Sequence, residues 1–523
     1  MAWWLAFIAT AAVLAVPLFL TEVPPLLDYP NHLTRMGLFA TGLADPVLSE
    51  FYTANWGIQP NMGLDLVVPP LARVMSLEWA GKVFVYFALV LPVLGACALH
   101  RALFLRRSYW PLASALVAYN GMFFAGFVNA LVGAGIALLG GALWQYQANR
   151  GVVLRLVCAA VIALAVFFCH IVAFAFFGLL LASLELGRPG GLIARVVRLV
   201  WLVVVFAVPA LLFLRAPLRG EAPNVGGGVM GLIKGYYWAL ASSPIHAKWR
   251  GLESPFLTYD WRLDTVAAGL LVAALVVWAV RGQLRVSPGG AIAFLGVMVV
   301  YPFVPFVFMD AAWVDQRLPI LAAFALFACT LPVRLSLGGG TAWATAFAAV
   351  IAVRVAAVGV AWSAHDADIA DFRRVVAPVQ PGQKVLVVRP ELASLAHPFD
   401  GEPAARHFMI DSDSLTHVPS LLVIERRAFM PLLFSDPIKQ PLRVRPPYDR
   451  LARVDGAPPF VRALSAPTET DLSRAPYLAH WRDDFDWVLL LRPGLVPDAG
   501  HLLPGELEPE GTSQIAALYK VIR

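Results

Sequence analysis

The chain has 523 residues, of which 59% are hydrophobic, 12% aromatic and only 14% charged. Soluble domains average about 25% charged residues, so a single water-soluble fold is excluded, as are collagen-like, disordered and disulfide-scaffold chains. The charges divide unevenly: residues 1–362 carry 22 Lys/Arg and 13 Asp/Glu, and residues 363–523 carry 18 and 21. The first region reads as membrane-embedded and the second as a soluble domain.

A membrane-crossing helix needs roughly 20 apolar residues. Eleven stretches meet or approach that length: 3–20, 82–104, 109–124, 128–146, 153–169, 171–186, 197–214, 264–281, 290–308, 318–335 and 341–362. The first lacks a basic flank and a small-residue cleavage site, so it reads as a retained anchor. With eleven spans, Arg101, Arg106, Arg107, Arg150, Arg155, Arg188, Arg195, Arg198, Arg281, Arg285 and Arg334 share one side, opposed only by Glu185. Basic loops mark the cytoplasmic face. The N-terminus then lies inside, and loops 21–81 and 215–263 face out together with the tail.

The first outer loop offers Leu33, Met36, Leu38, Phe39 and Leu43 as one apolar helical face, the pattern of a helix lying along the membrane surface. The second is rich in glycine and aromatics, including Gly226-Gly227-Gly228, Tyr236, Trp238 and Trp249. In the tail, the runs 384–389, 420–425 and 487–492 read as short buried strands. Ile369, Phe372, Val375 and Val376 are spaced as a helix over 365–377. The expected fold is therefore polytopic membrane all-α, with about eleven transmembrane helices over 1–362 and a small extracytoplasmic α/β domain over 363–523.

The residues best placed for chemistry follow the first span, in Pro24-Pro25-Leu26-Leu27-Asp28-Tyr29-Pro30-Asn31-His32-Leu33-Thr34-Arg35. A helix beginning near Pro30 gathers Asp28, His32 and Arg35 on one side, at spacings of four and three. The carboxylate would accept a proton from a hydroxyl, and His32 or Arg35 would hold a phosphate. An aspartate that only caps the helix is the plain alternative.

Elsewhere, His170 falls between two spans and would join that cavity, or else sit at a loop end at the interface. Arg317, with Asp310 and Asp315, forms a cluster able to receive a phosphate on its planar donor fork, or a local ion pair. Arg354 lies deep in the last span, where an unpaired charge is costly. The tail histidines His397, His407, His417 and His480, beside Asp411 and Asp413, lack metal-ligand spacing and read as exposed loop residues. Cys97, Cys158, Cys169 and Cys329 lie in apolar runs and read as small hydrophobes. No nucleotide-binding or nucleophile-elbow motif is present, and the basic balance follows membrane topology, which leaves nucleic-acid binding without support.

The Asp28-Tyr29-Pro30-Asn31-His32 form, D-x-P-x-H, resembles a set of bacterial membrane proteins in superfamily C of the lipid-dependent glycosyltransferases (GT-C). The stretch from Asn61 to Glu78 is similar to that family's proline-leucine element, apolar helix and turn into the second span. Asp315-Gln316-Arg317-Leu318-Pro319 resembles its R-Y-x-x-P entry to a late span, with Leu318 in place of the tyrosine. The resemblance implies Asp28 as catalytic base, and His32, Arg35, His170 and Arg317 remain the candidate substrate-binding residues read from their own placement. It also implies a sugar donor on polyprenyl phosphate, a glycan or lipid acceptor, surrounding membrane lipids, and a bacterial inner membrane. A divalent metal would be compatible with this chemistry, although no clear ligand set is visible. The family often has a second acidic residue near this loop, and Asp65 is a distant substitute. Two other functions compete: a transporter or flippase of lipid-linked glycans, and a non-catalytic binding protein of the same fold.

Overall fold

The computed structural model describes residues 1–148, 150–215, 229–242, 245–308, 311–391, 401–407, 413–436, 439–453 and 456–523, without the side chains of 213–215, 229–233 and 245–247. Gly226–Gly228, Asp310, His397 and Asp411 lie outside the described residues. The chain divides into two compact units. One comprises Met1–Val16, Ile58–Gly63 and Val85–Val358, and the other Pro17–Gly57, Leu64–Phe84 and Gly359–Arg523. The first outer loop therefore shares a unit with the tail, a division that sequence composition did not suggest.

The first unit is an apolar helical bundle. Seven described helices of the chain are long and apolar enough to cross a membrane: Ala2–Phe19, Leu77–Phe104, Val128–Tyr146, Val152–Cys169, Leu192–Leu212, Trp261–Val280 and Leu337–Val375. Ile171–Leu186, Pro288–Phe303 and Arg317–Cys329 are apolar but shorter. These ten elements match ten of the eleven expected spans. The expected span 109–124 is instead a 3₁₀ segment, Trp110–Val117, followed by a single helical turn, Gly121–Phe124. Asn120 breaks the run by capping that turn, its side chain accepting from the Phe123 N–H at 3.0 Å.

Glycine lets the bundle helices approach closely. At Gly135 any Cβ would collide with Leu91 and the Pro92 nitrogen, the small-residue contact typical of membrane helices. Arg354 and Glu185, both buried in the bundle, are each paired. Arg354 donates to Asp264 at 2.6 Å and to the Phe256 carbonyl at 2.8 Å. Glu185 receives Trp144 Nε1 at 2.7 Å and Arg155 Nη2 at 2.6 Å. All four cysteines are free thiols.

The second unit holds a four-stranded sheet. Val385–Val388 pairs in parallel with Trp487–Leu491, which pairs antiparallel with Ala516–Val521, and that strand pairs antiparallel with Leu507–Thr512. Val385–Val388 and Trp487–Leu491 were legible as strands, and all nine of their residues are buried. The expected strand at 420–425 is a helix, Leu421–Arg426, ended by Arg427 in the left-handed region. Its Leu421, Leu422 and Val423 are buried and it packs on the helix Tyr29–Ala40, so tertiary packing overrides the β-propensity of a short apolar run. The expected helix over 365–377 is present as the end of Leu337–Val375.

The first-loop helix, Tyr29–Ala40, departs from expectation in its surroundings. Every residue from Tyr29 to Leu38 is buried, so it is an internal helix and not an amphipathic one resting on a surface. Gly81 leaves room for the Tyr29 ring, where any Cβ would collide with its hydroxyl. A two-stranded ladder, Tyr52–Ala54 against Leu442–Val444, ties the same loop to the tail.

Candidate functional site

Prolines 24, 25 and 30 restrict the backbone around Asp28. The Leu26 N–H bonds the Pro24 carbonyl at 2.8 Å, the Tyr29 N–H the Leu26 carbonyl at 3.1 Å, and the His32 N–H the Asp28 carbonyl at 3.1 Å. Asp28 thus occupies the N-cap position of Tyr29–Ala40, but with φ −85° and ψ −11°, and its side chain makes no capping bond. Capping aspartates hold extended φ/ψ. Asp260 does so at φ −128° and ψ 102°, accepting from Arg262 and Leu263. The carboxylate of Asp28 is therefore turned away from the cap role, while the helix N-terminus still favours its negative charge.

It faces a histidine from the tail. His417 Nε2 lies 3.6 Å from Asp28 Oδ1, with the Asp28 side chain 19% exposed. The expectation of exposed loop histidines fails at His417, which is buried. Four hydrogen bonds hold the segments around it. Ser420 Oγ donates to the His417 carbonyl at 2.7 Å, and Thr34 Oγ1 donates to Ser420 Oγ at 3.3 Å. Asn31 clamps the following segment, donating to the Leu432 carbonyl and accepting from the Phe434 N–H, each at 2.9 Å. The Phe434 ring then meets both His417 and His32, at centroid distances of 4.9 and 5.6 Å. Gly456, at φ +73°, closes the cluster, since a Cβ there would collide with the Phe434 ring and press on His417.

His32 is buried beside this pair. Burial above all, then the neighbouring Arg35 and His417, holds its proton affinity well below that of an ordinary imidazole, so the ring is neutral. Arg35 has a different engagement from the one its spacing suggested. Its Nε and Nη2 donate to the two oxygens of Asp65 at 2.8 and 3.1 Å. Both side chains are almost fully buried, and the bidentate fork has its charge matched.

The other two expected residues meet in the first unit. His170 caps Ile171–Leu186, its Nδ1 accepting from the Val172 N–H at 3.1 Å. With Nδ1 as acceptor, the neutral ring carries its proton on Nε2. That nitrogen lies 3.4 Å from Arg317 Nη1, so two donors converge on one space. Arg317 also donates to the Ala312 carbonyl at 3.1 Å and lies 4.3 Å over the Phe127 ring. Asp315 takes Lys248 Nζ at 2.7 Å, so the local Arg317–Asp315 ion pair considered from the sequence is replaced by a lysine partner. Among the described residues, no group of three or more His, Cys, Asp or Glu side chains is gathered to hold a metal.

Phe434 was not legible as a site residue, His417 read only as an exposed loop histidine, and Asp65 only as a distant second acid. Each is brought to its partner across a long stretch of chain, whereas Asn31 lies inside the D-x-P-x-H stretch, where nothing in the sequence assigned it a role.

The fold defines a multi-pass helical membrane protein carrying a small α/β sheet region. The chain matches no protein-family profile and no curated protein sequence. Among solved structures, it is similar to the crystal structure of ArnT from Cupriavidus metallidurans in the apo state, at 15% identity. That similarity covers 99% of this chain and 97% of that one, with a TM-score of 0.46.

Proposed function

We propose that the chain is a GT-C-type membrane glycosyltransferase that moves a sugar from a polyprenyl-phosphate donor to a glycan or lipid acceptor. The reading places the protein in a bacterial inner membrane, with the N-terminus cytoplasmic and residues 363–523 extracytoplasmic. The observation that carries it is Asp28, a helix N-terminal carboxylate that caps nothing, remains partly exposed and faces His417.

In this reading Asp28 takes the proton of an acceptor hydroxyl, and the resulting oxygen attacks the anomeric carbon. The bond from that carbon to the phosphate oxygen breaks, and polyprenyl phosphate departs with the electron pair. Single-step attack inverts the anomeric configuration. His170 and Arg317 are proposed as donors to the phosphate, because Arg317 Nη1 and His170 Nε2 lie 3.4 Å apart and a phosphate oxygen can accept from both. His32, neutral and beside the acid, contributes a hydrogen-bonding ring and no charge. Arg35 is assigned to holding the loop through Asp65.

The test uses purified protein in lipid nanodiscs with a panel of polyprenyl-phosphate sugars. Mass spectrometry follows donor loss and free polyprenyl phosphate, comparing wild type with Asp28→Asn. Turnover with an inverted product, abolished by that substitution, is expected. Retained configuration, or turnover unchanged in Asp28→Asn, overturns the mechanism. Donor binding without turnover in wild type favours the transport or binding alternatives.

A further inference from the structure

The helices Ile171–Leu186 and Leu192–Arg215 leave an apolar groove between them. Gly178 and Ala182 form one wall, and Leu199, Leu202, Phe206 and Ala210 the other, around a cavity of about 360 Å³. The missing side chain at Gly178 opens it: a Cβ there would only just reach the Phe206 ring, at 3.7 Å. Among the described residues no charged side chain lines this groove, and its volume equals roughly a dozen water-sized groups. The second helix turns Val196, Val200, Val204, Val208 and Leu211 outward, as a helix facing hydrocarbon does.

One end of the groove is strongly positive. Glu185 lies one turn beyond Ala182, and Arg198 directly precedes Leu199. Three guanidinium groups converge on that single carboxylate: Arg155 at 2.6 Å, Arg188 at 3.2 Å and Arg198 at 3.2 Å. One negative charge against three positive ones leaves two uncompensated. Arg188 and Arg198 keep 28% and 23% of their side chains exposed, and Arg195, one turn back on the same helix, is exposed as well. Arginine presents a planar fork to phosphate, and basic pockets at helix ends select anionic headgroups.

From this juxtaposition we infer a binding site for an anionic diacyl phospholipid. One acyl chain fills the groove, and the phosphodiester meets Arg188, Arg195 and Arg198. The apolar lining explains a hydrocarbon occupant, and the surplus charge explains an anionic headgroup. The site stands whether or not the transferase reading holds.

Native mass spectrometry of the detergent-purified full chain tests it with phosphatidylglycerol, phosphatidylcholine and inorganic phosphate as separate probes. Phosphatidylglycerol should be retained over phosphatidylcholine, and Arg195→Gln and Arg198→Gln should each weaken that preference about fivefold. Gly178→Val, which fills the groove, should reduce retention of phosphatidylglycerol without changing the response to inorganic phosphate. Arg195 is exposed, so its variant tests the headgroup contact even where loss of Arg198 lowers the unfolding midpoint. Equal retention of the two phospholipids overturns the proposal. So does displacement of phosphatidylglycerol by inorganic phosphate, or phosphatidylglycerol binding unchanged in the folded Arg195→Gln and Gly178→Val variants. Preferential retention of a polyprenyl phosphate also overturns it, by assigning the groove to a single-chain lipid.

Discussion

The two units treat buried arginine differently. In the second unit the buried guanidinium groups of Arg35, Arg406 and Arg492 each meet an aspartate through two donors, Asp65, Asp368 and Asp413 in turn, and Glu402 adds a second carboxylate to both Arg406 and Arg492. In the first, Arg354 has Asp264 to itself, but Arg155, Arg188 and Arg198 share Glu185, and Arg317 faces a histidine and an aromatic ring. In such a pair the charge is compensated within the fold, and removing one member exposes the other to the full desolvation cost. An arginine in surplus is where an anion lowers the energy most. The bidentate pairs are therefore assigned to the fold, and the arginines that share Glu185 to a ligand.

That contrast can be broken. The largest expected effect belongs to the residue outside it: Asp28→Asn should lower turnover by roughly 10²–10⁴-fold, the usual contribution of a general base, read as polyprenyl phosphate released. Next, Asp65→Asn should destabilise the protein by about 3–5 kcal/mol by stranding Arg35, read by denaturant unfolding in mild detergent. An Asp65→Asn protein that unfolds like wild type and instead loses donor affinity would reverse the assignment of Arg35.

Arg317→Lys should weaken donor binding about tenfold or more, the worth of a hydrogen bond to a charged group. It should do so with little change in unfolding midpoint, and a large stability loss at constant donor KM would assign Arg317 to the fold. The smallest effect concerns pH. Because burial lowers the proton affinity of His32 in the folded protein, the unfolded chain takes up the proton first as pH falls. The stability that a neutral His32 allows is then complete above about pH 6.5 and declines below it. Midpoints measured across that range should fall less steeply with acid in His32→Gln than in wild type.

The helical membrane architecture was legible because an apolar run of sufficient length has few alternatives in a bilayer, where backbone groups must bond within their own segment. Residues 109–124 show the limit of that argument, since an apolar run interrupted by Asn120 satisfies its backbone in shorter pieces. The strands Val385–Val388 and Trp487–Leu491 were legible for a similar reason, as short runs bounded by turn residues. Ser420–Glu425 has the same composition and folds as a helix, because the neighbour that decides its conformation, Tyr29–Ala40, lies far away in sequence.

The sequence by itself determined the apolar helices, the start of a helix at Tyr29 after Asp28, and the candidacy of Asp28, His32, Arg35, His170 and Arg317. Local backbone chemistry and hydrophobic period are contained within a few residues, so they can be read there. Only the tertiary structure decided the partners: His417 for Asp28, Asp65 for Arg35, and an opposed donor for Arg317 at His170. Charge compensation between distant residues depends on which surfaces the fold brings together. No local pattern records it.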